Sequence, residues 1–349
     1  MAAPREGFTA VPKRDTPAGS AHCQSRAALP SENTPDTRTP IRIALNSTLV
    51  FAAMPAPDPA SDEFFLDPRA VRRSFDACAA TFDESAVVHT EIRKRLLERL
   101  DVVRLEPEVV IDLGAGTGHA SRALQDRYSG ARVVAMDLSP RMLVRAKRQQ
   151  RLFRRFDRVA AAAEQLPLRG GSVDLVFSNL MLQWCSTPDL VFGEIRRVLR
   201  PNGLVTFTTL GPDTLKELRQ VWSRFDRHVH VHRFIDMHDL GDALLRAGFA
   251  EPVMDTERLT ITYSNGRALL DELVGSGSAN VARGRRHGLM GRTTGAGFLD
   301  ACEALRHNGS LPVSLEVVYG HAWIGEKGRA SSKRGGEALF PVEKLRRRF

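Results

Sequence analysis

The chain has 349 residues, of which 42% are hydrophobic, and it carries a formal net charge of +9. Its four cysteines, Cys23, Cys78, Cys185 and Cys302, lie far apart and form no CxxC pair, which argues against a disulfide framework and against a zinc motif. No run approaches the ~18 apolar residues that a membrane-spanning helix needs.

The positive charge is unevenly distributed along the chain. Residues 1–60 carry six basic and five acidic side chains, and 326–349 carry eight and three, which leaves +3 for 61–325. The body is therefore only mildly basic, and we expect neither nucleic acid nor membrane among its partners. The basic segment 326–349 is interpreted as a disordered tail, with contact to an acidic protein or a polyanion as the alternatives.

The first 60 residues are rich in Pro, Ser, Thr and Ala and lack a sustained hydrophobic period, which predicts a disordered extension. The apolar run at 43–54 lies too far from Met1 for an ordinary signal peptide, so Met54 is a candidate start, with a transit peptide as the alternative.

Scattered cysteines favour a reducing compartment, and we predict a cytoplasmic protein. One domain is expected at 61–325.

Hydrophobic spacing predicts a helical region at 69–100, followed by alternating strands and helices. Strands are predicted at 109–113, 132–139, 173–180 and 204–210, with a short strand inside 157–168, and helices at 119–128, 140–150 and 190–199. The "PNG" at 201–203 is expected to separate the last helix from its strand. This alternation predicts a parallel sheet with right-handed crossovers.

The second half is less regular. Helices are predicted at 213–225, 236–249 and within 294–305, and strands at 259–263 and 314–325.

The stretch "VVIDLGAGTGHAS" (109–121) would end the first strand and turn into a helix. Glycines let the backbone approach a ligand, and the helix start offers free N–H groups to a negative group. Asp137, at the end of the next strand, could accept hydrogen bonds from both ribose hydroxyls. These features suit NAD and S-adenosylmethionine equally, but the G-x-G-x-G spacing with Asp112 before it favours a ligand with an ammonium group.

Five motifs in order carry a resemblance: "DLGAGTG", "MDLS", "AEQLP", "VDLVFSN" and "EIRRVLRPNG". Over 105–210, the predicted core, the chain resembles the class I S-adenosylmethionine-dependent methyltransferases. The resemblance implies an α/β fold, a Rossmann-like, doubly wound and mostly parallel seven-stranded sheet. It also implies an N-terminal helical lid and an insertion in the C-terminal half, so that 68–100 and 211–312 would form the lid and acceptor site.

The resemblance implies which residues bind S-adenosylmethionine. Asp112, Gly114, Gly116 and Gly118 would hold its methionine end, and Asp137 its ribose. Leu138 and Met142 would line the adenine, Ala163 and Glu164 would lie near its edge, and Asn179 would close the site. Ala162 stands where many relatives carry an Asp that reaches the adenine amino group. Glu164 or a backbone carbonyl would have to make that contact in this chain.

The flanking segments suggest the methyl acceptor. Segments 72–92, 179–184, 207–222, 232–249 and 273–280 resemble the malonyl-acyl carrier protein O-methyltransferase family of biotin synthesis. This implies methylation of the free carboxylate of a malonyl thioester on an acidic carrier protein or on coenzyme A. Phe82 stands where many relatives carry Tyr. A quinone-type small-molecule methyltransferase and an arginine-modifying relative of the complex I assembly factor are the alternatives.

No catalytic residue is predicted, because a carboxylate is already ionised at neutral pH and needs no general base. The carboxylate still needs a partner, and the candidates are arginines: Arg233, Arg283, Arg285, Arg286 and Arg292. A solvated basic loop is the alternative for the cluster at 282–292. His228, His230 and His232 alternate along the chain, but no fourth metal ligand is evident, so no metal is predicted.

Overall fold

The computed structural model describes residues 62–288 and 290–325. The predicted extension at 1–60 and the predicted tail at 326–349 lie outside the described residues. The described part contains a seven-stranded sheet in the order β3-β2-β1-β4-β5-β7-β6. Its strands are β1 (Val109–Leu113), β2 (Arg132–Asp137), β3 (Asp157–Ala160), β4 (Val173–Asn179), β5 (Leu199–Leu210), β6 (Ala250–Tyr263) and β7 (Leu311–Trp323).

Strands β1 to β5 are parallel, and β7 runs antiparallel to β5 and β6. The predicted mostly parallel, seven-stranded α/β sheet is therefore confirmed. The order of connection reverses between β1 and β4, and a sheet of this type binds ligands at the carboxyl ends of its strands beside such a reversal.

Ten α-helices surround the sheet in the described residues. They are α1 (Pro68–Cys78), α2 (Phe82–Ser85), α3 (Val87–Arg99), α4 (His119–Arg127), α5 (Pro140–Ala146), α6 (Pro188–Val198), α7 (Lys216–Trp222), α8 (Met237–Arg246), α9 (Gly266–Gly275) and α10 (Arg292–Glu303). The helical region predicted at 69–100 is thus three helices. None of the described helices is long and apolar enough to cross a membrane.

Neighbouring residues of the central strands are buried on opposite faces of the sheet. Ile111 and Val176 pack in one apolar cluster with α6 and α8, whereas Val110 and Phe177 pack in another with α3 and α4. A parallel strand that is covered on both faces has no polar side to show, which explains the continuous apolar run of "VVI".

The carboxyl-terminal half departs from the prediction. β6 begins at Ala250 rather than at 259, and α9 was not predicted. Most side chains of β6 are exposed or half-buried because it is an edge strand, so it lacks a clear hydrophobic pattern. The "PNG" at 201–203 lies inside β5, where the pairing shifts from Val173–Leu199 to Leu175–Leu204. It is an irregularity in the strand rather than a loop before it.

Candidate active site

The glycine loop after β1 gives its glycines different tasks. Gly116 has φ +52°, and a Cβ atom there would meet nothing within 4 Å, because the residue faces a cavity. Gly118 has φ +84°, and a Cβ atom there would lie 2.8 Å from the Cβ of Ala146 in α5. The middle glycine therefore leaves room for a ligand, whereas the third lets α4 pack closely against α5.

Asp137, the last residue of β2, holds the loop in place. One carboxylate oxygen accepts the N–H of Gly116 at 2.8 Å, and the other accepts the N–H of Ser139 at 2.7 Å. Burial raises the pKa of Asp137 to about 6. A carboxylate has about four acceptor positions, so each oxygen retains capacity for a hydroxyl group of a ligand in the cavity.

Asp112 is only 1% exposed and lies behind the loop rather than on the cavity wall. Its carboxylate accepts the hydroxyl of Ser121 at 2.5 Å, which ties the first turn of α4 to the end of β1. Burial, with the charge of Asp137, raises its pKa to about 7, and the guanidinium of Arg93 acts in the opposite direction. The predicted contact of Asp112 with the methionine end stays a prediction.

Eight of the ten predicted cofactor residues line this one cavity, which encloses about 780 Å³ including its open mouth. They are Gly114, Gly116, Asp137, Leu138, Met142, Ala163, Glu164 and Asn179, and Asp112 and Gly118 are the two that do not. Further residues that the sequence did not single out as cofactor contacts also line it, in α1, in α3 and after β4: Phe75, His89, Met181, Trp184 and Cys185.

Three hydrogen bonds fasten the amino-terminal helices over the cavity. The hydroxyl of Ser139 donates to Asp76 in α1 at 2.6 Å, and that of Thr117 donates to Asp83 in α2 at 2.6 Å. The amide of Asn179 donates to the carbonyl of His89 in α3 at 3.2 Å. Each link joins these helices to the carboxyl end of a parallel strand or the loop after it, so α1 to α3 cover this cavity.

A second cavity of about 900 Å³ adjoins the first. Its walls come mainly from the carboxyl-terminal half and are mostly apolar, including Leu218, Ile261, Leu273, Val313 and Leu315. Tyr263 and Glu272 also line it as hydrogen-bond partners, and burial raises the pKa of both. Within the described ranges, this wall contains neither lysine nor arginine.

Three residues line both cavities: His89, Leu180 and Trp184. Burial lowers the pKa of His89 to about 4, helped by the charge of Arg93, so the imidazole is neutral at physiological pH. The Nδ1 atom of His89 and the Nε1 atom of Trp184 are buried without a hydrogen-bond partner. Leu180 has φ +52°, a strained conformation that is often retained at functional sites.

The five predicted arginines lie elsewhere, and none lines either cavity. Arg283 and Arg285 line a depression on the outer side of α1 that also includes Arg73, Asp67 and His287. Arg233 stacks on the ring of Phe64, Arg286 lies 3.8 Å from Asp226, and Arg292 begins α10. Their role toward a substrate stays a prediction.

Two of the alternating histidines have structural partners. The ring of His230 stacks on Trp222 and pairs with Asp226 at 2.7 Å. His232 accepts the N–H of Val281 at 3.1 Å. In the part of the chain that the structure describes, no group of three or more His, Cys, Asp or Glu side chains is placed to hold a metal ion.

Comparison with known proteins agrees with this architecture. Residues 111–207 match a family model described as a methyltransferase domain. A Bacillus halodurans protein assigned as a methyltransferase, known from its crystal structure, superposes with a TM-score of 0.50 at 16% identity. That likeness covers 67% of this chain and 98% of the other, and it shows the fold alone.

Relatives with higher sequence identity carry one common name, malonyl-acyl carrier protein O-methyltransferase. The protein of Methylovorus sp. strain MP688 is 48% identical, over 75% of this chain and 91% of its own length. That of Laribacter hongkongensis is 50% identical over the same shares. The chain therefore belongs to the malonyl-acyl carrier protein O-methyltransferase family, within the class I S-adenosylmethionine-dependent methyltransferases.

Proposed function

We propose that the chain methylates the free carboxylate of a malonyl thioester carried by acyl carrier protein, and that the methyl ester primes biotin synthesis. Two relatives that are 48% and 50% identical to the chain are named for this acceptor, which supports it. The observation that carries the proposal is the pair of cavities that meet at His89, Leu180 and Trp184, one beside the glycine loop and one apolar.

The first cavity suits S-adenosylmethionine. The open space at Gly116 admits the methionine end, Asp137 retains acceptor positions for the ribose, and Leu138 and Met142 offer an apolar surface to the adenine. Bound there, the co-substrate supplies a methyl group on a positively charged sulfur. The carboxylate oxygen forms the new bond to the methyl carbon, and the electrons of the broken S–C bond stay on sulfur. The products are a neutral thioether and a neutral ester.

Because both charges disappear in this reaction, the transition state is less charged than the reactants. A dry, apolar environment therefore favours transfer, and the wall of the second cavity is mostly apolar. The residues of the chain need only exclude water and align the two groups, an effect that can contribute ~7–11 kcal/mol. No general base is required, since a carboxyl group titrates near ~4.

The outer depression supports docking of the acceptor's carrier. Arg73, Arg283 and Arg285 give it positive charge, and Pro68 lines both this depression and the first cavity. Pro68 and Val71 of α1 continue from it to the first cavity, and the segment 276–287 runs from the second cavity to it. An acidic carrier placed here could pass its thioester arm along that segment; malonyl-coenzyme A would use the same route.

The test is incubation of the purified protein with labelled S-adenosylmethionine and either malonyl- or acetyl-carrier protein. Label should enter malonyl-carrier protein only, as a base-labile methyl ester, because acetyl has no free carboxylate. Equal labelling of both would contradict a carboxyl acceptor, and labelling of neither would contradict the proposed function as a whole. Rescue of a biotin-requiring strain checks the pathway.

A further inference from the structure

We propose that His89 and Trp184 form the subsite for the acceptor carboxylate, each donating one hydrogen bond to it from an uncharged ring. The inference rests on the proposed function and deepens it, because the five arginines that the sequence suggested for this task line neither cavity. It assigns the carboxylate to the place where the two cavities meet.

His89 and Trp184 lie where the acceptor carboxylate would have to be. A group that receives a methyl from a ligand in the first cavity, while its thioester lies in the second, must lie at their junction. Of the three residues common to both cavities, Leu180 has no polar side-chain atom, whereas His89 and Trp184 each carry a ring nitrogen that can donate a hydrogen bond.

One ring nitrogen of each of these two residues also lacks a hydrogen-bond partner within the described part of the chain. Only four buried side-chain nitrogen or oxygen atoms lack a partner in the described residues, and two of them are Nδ1 of His89 and Nε1 of Trp184. A buried polar group without a partner is costly, and such exceptions are rare in native proteins. Two of these rare exceptions at one junction indicate a ligand with two acceptor atoms, which a carboxylate has.

A structural role accounts poorly for the His89 side chain. The link from α3 to β4 uses its backbone carbonyl, which accepts from Asn179, and any residue at this position would supply that carbonyl. The ring itself makes an edge contact with Phe82, with 5.2 Å between centroids, and a Phe or Leu side chain could make a similar contact. The Nδ1 atom of His89 is therefore available for another purpose.

Uncharged donors suit the chemistry better than an arginine would. A full positive charge would stabilise the carboxylate more than the transition state, in which part of the carboxylate charge has gone, and would slow the transfer. It would also repel the positively charged sulfur of the co-substrate. His89 meets this requirement because burial and the neighbouring Arg93 keep it uncharged, while Asp83 and Asp112 balance Arg93.

The test uses the variants His89→Leu, His89→Gln and Trp184→Phe of the full chain. Loss of one hydrogen bond to a charged group should lower kcat/KM for malonyl-carrier protein about 10- to 100-fold in His89→Leu and Trp184→Phe. His89→Gln restores an amide donor of similar reach and should recover most of the activity. It also keeps the test valid if the leucine variant does not fold.

A second readout separates a carboxylate contact from a general distortion of the site. The protein is first saturated with S-adenosylhomocysteine. Calorimetric titration then compares its affinity for malonyl-carrier protein with its affinity for the methyl ester, which has an uncharged ester group in place of the carboxylate. The unmodified protein should prefer the acid, and His89→Leu and Trp184→Phe should lose about tenfold or more of that preference. Equal weakening of both ligands, or an unchanged preference, would overturn the proposal. If the unmodified protein methylates no malonyl thioester, the proposed function fails instead.

Discussion

Replacement of Asp137 by alanine tests the cofactor site most directly. Its carboxylate accepts the N–H groups of Gly116 and Ser139 at 2.8 and 2.7 Å, and each oxygen retains capacity for one ribose hydroxyl. Hydrogen bonds to a charged group contribute ~1.5–3 kcal/mol each, so losing two weakens binding by roughly 3–6 kcal/mol, or about 10²- to 10⁴-fold. Calorimetric titration with S-adenosylhomocysteine measures this loss.

Folding should change much less than binding in this variant. The substitution removes two hydrogen bonds to backbone N–H groups, but it also removes a buried carboxylate whose raised pKa reports an unfavourable environment for its charge. Asp157→Ala is the matched control, because Asp157 lies on β3 in an exposed ion pair with Arg132 and outside the cavity. Full affinity for S-adenosylhomocysteine in Asp137→Ala, with the control also unchanged, would refute the ribose assignment.

Three further results are expected. Ribose hydroxyls that donate to Asp137 would favour its ionised form, and burial raises its pKa to about 6 in the free protein. Affinity for S-adenosylhomocysteine should therefore fall as the pH is lowered from about 8 to about 5.5, with release of protons on binding. Calorimetry in two buffers measures both effects, and a pH-independent affinity would contradict the contact. Gly116→Ala and Gly118→Ala both place alanine at positive φ, at a cost of ~1–2 kcal/mol, but only Gly118→Ala also meets Ala146 at 2.8 Å. Gly118→Ala should therefore show the larger loss in melting temperature and Gly116→Ala the larger loss in affinity, and the reverse ranking would be inconsistent with the roles given to them. Joint replacement of Arg73 and Arg285 by alanine should raise KM for malonyl-carrier protein more than it lowers kcat and should reduce the salt dependence of kcat/KM, whereas Arg151→Ala, outside the depression, should do neither.

That most of the proposed cofactor residues line one cavity could be predicted because their signals are local. In a parallel sheet, the residues that follow successive strands meet at one edge, so finding the ends of β1, β2 and β4 is enough to bring Gly116, Asp137 and Asn179 together. The turn at each strand end also carries its own sequence signal, such as the glycines of 114–118 or Pro140 after Ser139.

The junction of the two cavities could not be predicted in the same way. His89 lies within the helical pattern of α3, and nothing in its neighbours along the chain distinguishes it from a core histidine. Only the packing of α3 against the end of β4 brings it to the junction. Arg283 and Arg285 are the opposite case. They follow a loop that lines the second cavity, but they themselves line the outer depression.

The distribution of charge between the two cavities follows from the proposed chemistry. The co-substrate keeps its ammonium group and ribose hydroxyls throughout the reaction, so a carboxylate such as that of Asp137 can stabilise it before and after transfer. The acceptor loses its charge during the reaction, so a permanent cation beside it would bind substrate more strongly than product and would oppose transfer. An apolar second cavity without lysine or arginine among its described lining residues avoids that cost. Recognition of the carrier's negative charge would then fall to the outer depression, whose arginines line neither cavity and can speed encounter there.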